Sequence, residues 1–368
     1  MKSYCYFIAT SWIDGAIPNH FRALSNELAK RGHRVVILIN GQKRWAEDHE
    51  GNPSIYAWPS SRPTNFRDAL FLYRLIRRYH TDCLISNFGA DNVMLLVGWL
   101  MRVPSRVAWY HTLISQIELD GELSRWKSRL LKLRKRIVYK TATCIIPVSG
   151  AGREDAQSVF QIPERKCRVL HNSLSDPLAD LTIDETVNRQ NKLVCVGRLH
   201  PAKGQDVLIK ALAILKRSLP DLSIEFIGDG PLKETCLQLA KELKVEDACI
   251  FLGALRHEEV LTRMALAAAT VVPSRSEAFG LVNIESLAVG TPVVAARVGG
   301  IVEVIRDGVD GFLVSPNDPN AFAEKLNLIL SNPNLRATMS RNARERFLTT
   351  FEQSKVIKEQ ADWFETSV

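Results

Sequence analysis

A chain of 368 residues with 46% hydrophobic and 24% charged residues has the makeup of a globular protein of two domains, at roughly 150 residues each. Its seven cysteines are scattered, odd in number and free of any C-x-x-C pair, which argues against a disulfide framework or a zinc site and fits buried thiols in a reducing compartment. A net charge of +8 points to an anionic partner, while the absence of a bilayer-length apolar run or a signal-peptide cleavage pattern predicts a cytoplasmic protein that meets any membrane from the side.

The chain opens on an apolar strand, Tyr4 to Thr10, followed by a loop at Asp14 and Gly15. HFRALSNELAKRG then places Phe21, Leu24 and Leu28 at helical spacing and stops at Gly32. HRVVILIN is the next strand, so the opening is a β-α-β unit and the sheet is parallel. DCLISN (82–87), RVAWYH (106–111), TCIIPVS (143–149) and RVLHNS (168–173) read as further strands of this half. The polar stretch from Ser175 to Gln190 reads as a linker. Beyond it KLVCVGR, SIEFIGDG, CIFLG, ATVVPS and TPVVAA are strands, with helices such as DVLIKALAILKRS between them. Two successive α/β alternations predict two Rossmann-like doubly wound domains facing a central cleft. The end, EQSKVIKEQADWFE, reads as one amphipathic helix with Val356, Ala361 and Trp363 on its apolar side.

The chemistry concentrates in the second half. In SEAFGLVNIESLA, Glu277 falls on a loop and Glu285 in the first turns of a helix. Backbone N–H groups from Phe279 to Val282 point out of the helix start, which makes an anion site suited to a diphosphate. In VGRLHPAKG, Arg198 and Lys203 lie on a strand-to-helix loop after Gly197, two cations able to clamp a diphosphate and stabilise the charge that grows as it departs. GDGP, with Gly228 and Gly230, allows a tight turn and a close backbone approach to a ligand.

These segments resemble glycosyltransferase family 4, a retaining family with the GT-B fold. EAFGLVNIE is similar to its E-x7-E motif, and GRLHPAKG, GDGP and GTPVVAARVGG follow the family's order. The match is densest from Leu193 to Pro316 and weaker through the glycine loop, the YHT strand end and the PVS…HNS pair. The resemblance implies an N-terminal acceptor-binding domain over residues 1–180, a donor-binding domain over 187–349, and a last helix, about 350–368, packed back on the first domain. It implies that Glu285 binds the ribose and that Arg198 and Lys203 bind the diphosphate. Glu277, with the backbone of Ala278, Phe279, Gly280, Leu281 and Val282, would hold the donor sugar and the helix-start contacts. Gly15 would approach the diphosphate and His111 the reaction centre. Asp14-Gly15-Ala16 departs from the commoner pair of adjacent glycines. The implied activity is transfer of a sugar from a nucleotide diphosphate, UDP being the commonest, with retention and with no metal or other cofactor. A lipid-linked saccharide or glycolipid is the expected acceptor. The alternatives are a soluble acceptor, a sugar-nucleotide epimerase on the same fold, and a non-catalytic nucleotide-sugar binder.

One further segment stands apart. RWKSRLLKLRKRIVYK carries basic residues at Arg125, Lys127, Arg129, Lys132, Arg134, Lys135, Arg136 and Lys140 and no acid. Trp126, Leu130, Leu133 and Ile137 form one helical stripe. That stripe needs a cover, either its own domain or an anionic membrane surface. Nucleic acid is not an expected partner, because no reader motif or interleaved aromatics accompany the charge.

Overall fold

The computed structural model describes residues 2–11, 15–40, 51–121, 124–179 and 192–367, with the Arg125 side chain also outside the described set. Asp14 and most of the expected linker, residues 180–191, lie outside the described residues. The chain divides into two compact units. The first comprises Met1–His111, Leu123–Ser175 and Gln353–Val368, and the second Thr112–Glu122 and Asp176–Glu352.

The first unit is built on six parallel strands: β1 (Cys5–Thr10), β2 (Arg34–Ile39), β3 (Ser54–Ala57), β4 (Cys83–Asn87), β5 (Ser105–Tyr110) and β6 (Cys144–Pro147). Their order is β3-β2-β1-β4-β5-β6. Cys5 faces Arg34 across β1/β2, and Tyr6 faces Cys83 across β1/β4. Both faces of the sheet are covered, so β1 and β4 are buried throughout rather than alternating. The helices are α1 (Ala16–Lys30), α2 (Phe66–Tyr79), α3 (Asp91–Leu100), α5 (Arg125–Lys140) and α6 (Gly150–Phe160). The short α4 (Ile114–Leu119) belongs to the second unit. Helix α2 starts at a capping box, in which Asn65 accepts from the Asp68 N–H and Asp68 accepts from that of Asn65.

Arg168–Ser173, read as a strand from its apolar residues, is not one. It runs beside β6 with hydrogen bonds from Arg168 N to Ile145 O and from Leu170 N to Pro147 O, too few to form a ladder. Strand β3 and helix α2 gave no signal in the sequence reading. Strand β3 has four residues, and the charged face of α2 masks its short apolar stripe of Leu72, Leu75 and Ile76.

The second unit repeats the plan. Its strands are β7 (Lys192–Val196), β8 (Ser223–Ile227), β9 (Cys249–Gly253), β10 (Ala269–Val272), β11 (Val293–Ala296) and β12 (Gly311–Val314), in the order β12-β11-β10-β7-β8-β9. Around them lie α7 (Gln205–Leu215), α8 (Lys233–Glu242), α9 (His257–Leu266), α10 (Leu281–Ala288), α11 (Ile301–Val304), α12 (Pro319–Ser331) and α13 (Pro333–Thr350). Leu208, Leu212 and Leu215 of α7 pack with Ile224, Phe226, Phe322 and Leu326 in the main core.

The last helix, α14 (Gln353–Ser367), packs on α1 of the first unit. Trp363, expected to fix it, is only half-buried and lies edge-on to Phe364. Phe364 is the buried anchor, set edge-on to Tyr6. Polar ties add to it: Arg31 donates to Asp362 and Glu365, and Gln360 donates to the His171 carbonyl.

A buried histidine is expected to make this unit acid-sensitive. His20 is fully buried, and its Nδ1 accepts from the Ser173 N–H and meets the Ser173 hydroxyl at 2.7 Å. Burial disfavours the charged ring and lowers its pKa from the ordinary 6.5 to about 4. The unfolded chain therefore takes up the proton first. The stability this neutral ring contributes is intact above pH 6.5 and is lost as pH falls from 6.5 toward 4, about 3 kcal/mol over the window. Denaturant titrations across that range are expected to show the loss, and His20→Gln, which keeps an acceptor without a titrating ring, to flatten it. An unchanged slope in the variant would assign the acid loss to other groups.

Candidate functional site

The second unit brings the two sequence motifs into contact. Gly197 follows β7, and the chain turns through a short 3-10 segment, Pro201–Lys203, closed by Lys203 N to His200 O and released by Gly204 in the left-handed conformation. Lys203 reaches from this turn to Glu277, with Nζ 2.5 Å from Oε2, and both side chains are largely buried. Glu277 lies on the loop between β10 and α10, where its carbonyl accepts from Gly300 N.

Gly280, at a φ of 82°, caps the start of α10, and Leu281 and Val282 form the first turn. The leading N–H groups of that turn have no acceptor within the helix and face outward along its axis. Ala278 and Phe279 are buried side chains, with the Phe279 ring against Phe351. Glu285, one turn further on, does not join Lys203 and Glu277. It is buried and meets His257 Nε2 at 3.1 Å, and that contact raises the histidine pKa.

Arg198 is more than half exposed, with Nη2 3.4 Å from Asp120. Asp120 follows α4 and was invisible as a site residue in the sequence. It is almost fully buried and accepts from the Ala202 N–H at 3.1 Å, with His200 Nδ1 3.9 Å away. From the other side Arg275 holds the same turn, donating from its backbone to Ala202 O and from Nη1 to Pro201 O while pairing with Asp206. The cationic loop is thus fixed between a carboxylate and a guanidinium. No motif marked Asp120, since it lies 78 residues from Arg198; Arg275 stands two residues before Glu277, but its partners Pro201, Ala202 and Asp206 lie about seventy residues away in the chain.

Gly228 and Gly230 act as supports. A Cβ at Gly228 would lie 2.2 Å from Gly197 O, and one at Gly230 2.4 Å from Leu199 O. Leu199 N donates to Asp229 O and Leu232 N to Leu199 O, so the GDGP turn buttresses the Arg198 loop. Both glycines thus make a close approach to the protein's own backbone.

In the first unit, Gly15 has extended backbone and precedes α1, and a Cβ there would meet only Pro18 at 3.7 Å. His111 follows β5, stacked on Phe88 at 4.7 Å, with Nε2 2.7 Å from Asn87 Oδ1. Asn87 Nδ2 donates to Ala9 O, so its oxygen faces the ring and accepts from Nε2–H. Burial lowers the His111 pKa to about 3, which keeps the ring neutral with Nδ1 as an acceptor. A pocket opens beside it at the carboxyl ends of β1, β2 and β4, lined by Thr10, Ser11, Asn40, Asn87, Phe88 and Ile17. This is where the strand order reverses, between β1 and β4.

Of the two covers the sequence left open for the stripe of α5, its own unit is not one. Trp126, Leu130, Leu133 and Ile137 are all more than half exposed, while Ser128, Val138 and Tyr139 face inward. Lys135 is also withdrawn from the surface, with Nζ 3.2 Å from Tyr139 Oη and over the Tyr110 ring. Lys127, Arg129 and Arg134 remain exposed, with Lys132 and Arg136 partly so. Among the described residues no helix is long and apolar enough to cross a membrane.

Two doubly wound parallel units, the second with a cationic strand–helix loop against a glutamate at a helix start, define a GT-B protein. The pattern of the family "Glycosyltransferase Family 4" matches residues 17–175, and that of "Glycosyl transferases group 1" matches residues 182–346. The chain is 25% identical over 374 residues to an uncharacterized glycosyltransferase of Methanocaldococcus jannaschii, covering 97% of this chain and 95% of that one. Its structure is similar to sucrose-phosphate synthase from Thermosynechococcus elongatus, with a TM-score of 0.79, 21% identity, and 99% and 98% of the two chains covered. It is also similar to Anabaena HepE in complex with UDP, with a TM-score of 0.76, 20% identity, and 99% and 100% covered. The chain belongs to the group 1 glycosyltransferases of family 4 and is a glycosyltransferase.

Proposed function

We propose that this glycosyltransferase moves a sugar from a nucleotide diphosphate, UDP by preference, to a saccharide on a lipid carrier, with retention of configuration and without a metal. The observation that carries the reading is the Lys203–Glu277 contact beside Arg198 and the head of α10. Without donor, each charge there is held by a protein partner. A bound diphosphate takes Arg198, Lys203 and the α10 N–H groups, and Glu277 turns to the sugar hydroxyls. Glu285 takes the ribose in place of His257. The C1–O bond to the diphosphate breaks through an oxocarbenium-like state. The acceptor oxygen attacks C1 on the face the diphosphate leaves, and its proton passes to the departing phosphate oxygen. Gly228 and Gly230 contribute by keeping the Arg198 loop in place.

The first unit offers the acceptor its pocket beside His111, where Phe88 gives a sugar ring an aromatic face and Asn40 and Thr10 give it hydrogen bonds. Neutral His111 keeps Nδ1 as a hydrogen-bond acceptor for the acceptor's hydroxyls. The carrier would be met at the inner face of the cytoplasmic membrane.

Incubation with a panel of nucleotide diphosphate sugars tests this. One donor is expected to raise the melting temperature and to be slowly hydrolysed, with activity unchanged by EDTA and a product of retained anomeric configuration by NMR. Conversion of the donor to an epimer without acceptor would replace transfer by isomerisation. No response to any donor would remove the assignment of Arg198, Lys203 and Glu285.

A further inference from the structure

The exposed stripe of α5 is one part of a larger surface. Helix α3 packs between α2 and α5, so the three form one layer on the sheet of the first unit. Each turns large apolar side chains to solvent. On α3 they are Leu96, Trp99 and Leu100, at i, i+3 and i+4, with Trp99 57% and Leu100 71% exposed. On α2 they are Phe66 and Tyr73, at i and i+7. Scattered exposed apolar residues are normal on a soluble protein, but organised stripes on three adjacent helices are not.

The charge on this layer has one sign. Helix α2 exposes Arg67, Arg74, Arg77 and Arg78, and α5 exposes Lys127, Arg129, Arg134 and Lys140. The three helices hold two acids, Asp68 and Asp91, and both are buried. Asp68 is consumed by capping, accepting from the Ser60, Thr64 and Asn65 N–H groups. Asp91 accepts from the Ser86 hydroxyl and Tyr139 Oη. No described carboxylate on these helices is left to face solvent.

We propose that the α2–α3–α5 layer is a docking face for an anionic lipid bilayer, entered by the apolar side chains to the depth of the headgroups and held by the surrounding Arg and Lys. Two tryptophans, Trp99 and Trp126, have the amphipathic rings that settle at a bilayer interface. A second copy of the chain is a poor occupant, because two such faces carry the same charge. The inference extends the proposed lipid-linked acceptor, yet it stands on a surface that shares no residue with the donor site.

Sedimentation with vesicles tests it. The protein is expected to co-sediment with vesicles rich in phosphatidylglycerol, to remain in solution with phosphatidylcholine alone, and to be released by salt. Trp126→Glu with Leu133→Glu is expected to weaken binding by about tenfold or more, and Arg74→Glu with Arg77→Glu by several-fold. All four positions are exposed, so melting temperature and donor hydrolysis in solution should stay at the wild-type level; loss of hydrolysis in wild type would indict the donor site separately. Equal binding to both vesicle types, no binding to either, or retention on DNA in preference to anionic vesicles would overturn the proposal. Unchanged binding in the α2 variant would overturn the three-helix face.

Discussion

Alanine at Lys203 is expected to lower kcat by about 10²–10³-fold with a much smaller rise in the donor KM. The diphosphate carries most of its charge before the bond breaks, so several groups share its binding. The additional charge appears on the bridging oxygen only as the bond to C1 opens. A cation whose partner is a buried glutamate has little solvent around it, so its attraction for that added charge is stronger than in water. An interaction that strengthens toward the transition state acts on kcat. Lys203→Ala also leaves the largely buried Glu277 without its partner, which is expected to cost about 1–3 kcal/mol of stability. Lys203→Arg would keep the charge but replace a compact ammonium by a bulkier planar guanidinium, and would recover only part of the rate. Steady-state kinetics with the donor identified by the panel make the measurement. A kcat within about threefold of wild type in a folded Lys203→Ala would remove Lys203 from the chemistry.

Asp120 gives the second large effect, through a residue that touches no substrate. Its oxygens hold the Ala202 N–H and face Arg198, so it fixes both the turn that carries Lys203 and the direction of the guanidinium. Asp120→Ala leaves a buried N–H without an acceptor, at a cost of about 1–3 kcal/mol, and frees the loop. Displacement of the clamp by about an ångström is expected to cut kcat/KM by roughly 10²-fold. Asp120→Asn separates the two roles. Its amide oxygen still accepts from Ala202, so the melting temperature is expected to return toward wild type. The charge that directs Arg198 is gone, so kcat/KM should remain about tenfold down. A purely structural Asp120 would make the Asn variant normal in both assays. Normal kinetics in Asp120→Ala would show that Arg198 needs no such guide.

The sequence by itself determined the class of this protein and singled out the groups proposed for its chemistry. Apolar runs such as Cys5–Thr10 and Leu193–Val196, alternating with helical stretches, already imply parallel sheets, because a strand buried on both faces has no polar residue to show. The residues proposed for the donor site were legible for a local reason: Arg198, Lys203 and Glu277 sit just after a strand end or just before a helix start, and Glu285 lies on the helix that follows Glu277. What the tertiary structure decided was the set of long-range partners. Asp120 and Arg275 grip the turn at Ala202 through contacts that no periodicity records. Only the folded chain shows that Gly228 and Gly230, read from sequence as allowing a tight turn and a close approach to a ligand, also leave room for the Gly197 and Leu199 carbonyls. The same holds at the surface. The pattern of α5 shows that one face is apolar, but a helix is amphipathic whether that face is inside or outside. Only the packing of Ser128, Val138 and Tyr139 inward leaves Trp126, Leu130, Leu133 and Ile137 in solvent, and only the neighbouring α2 and α3 show that the charge around them has a single sign.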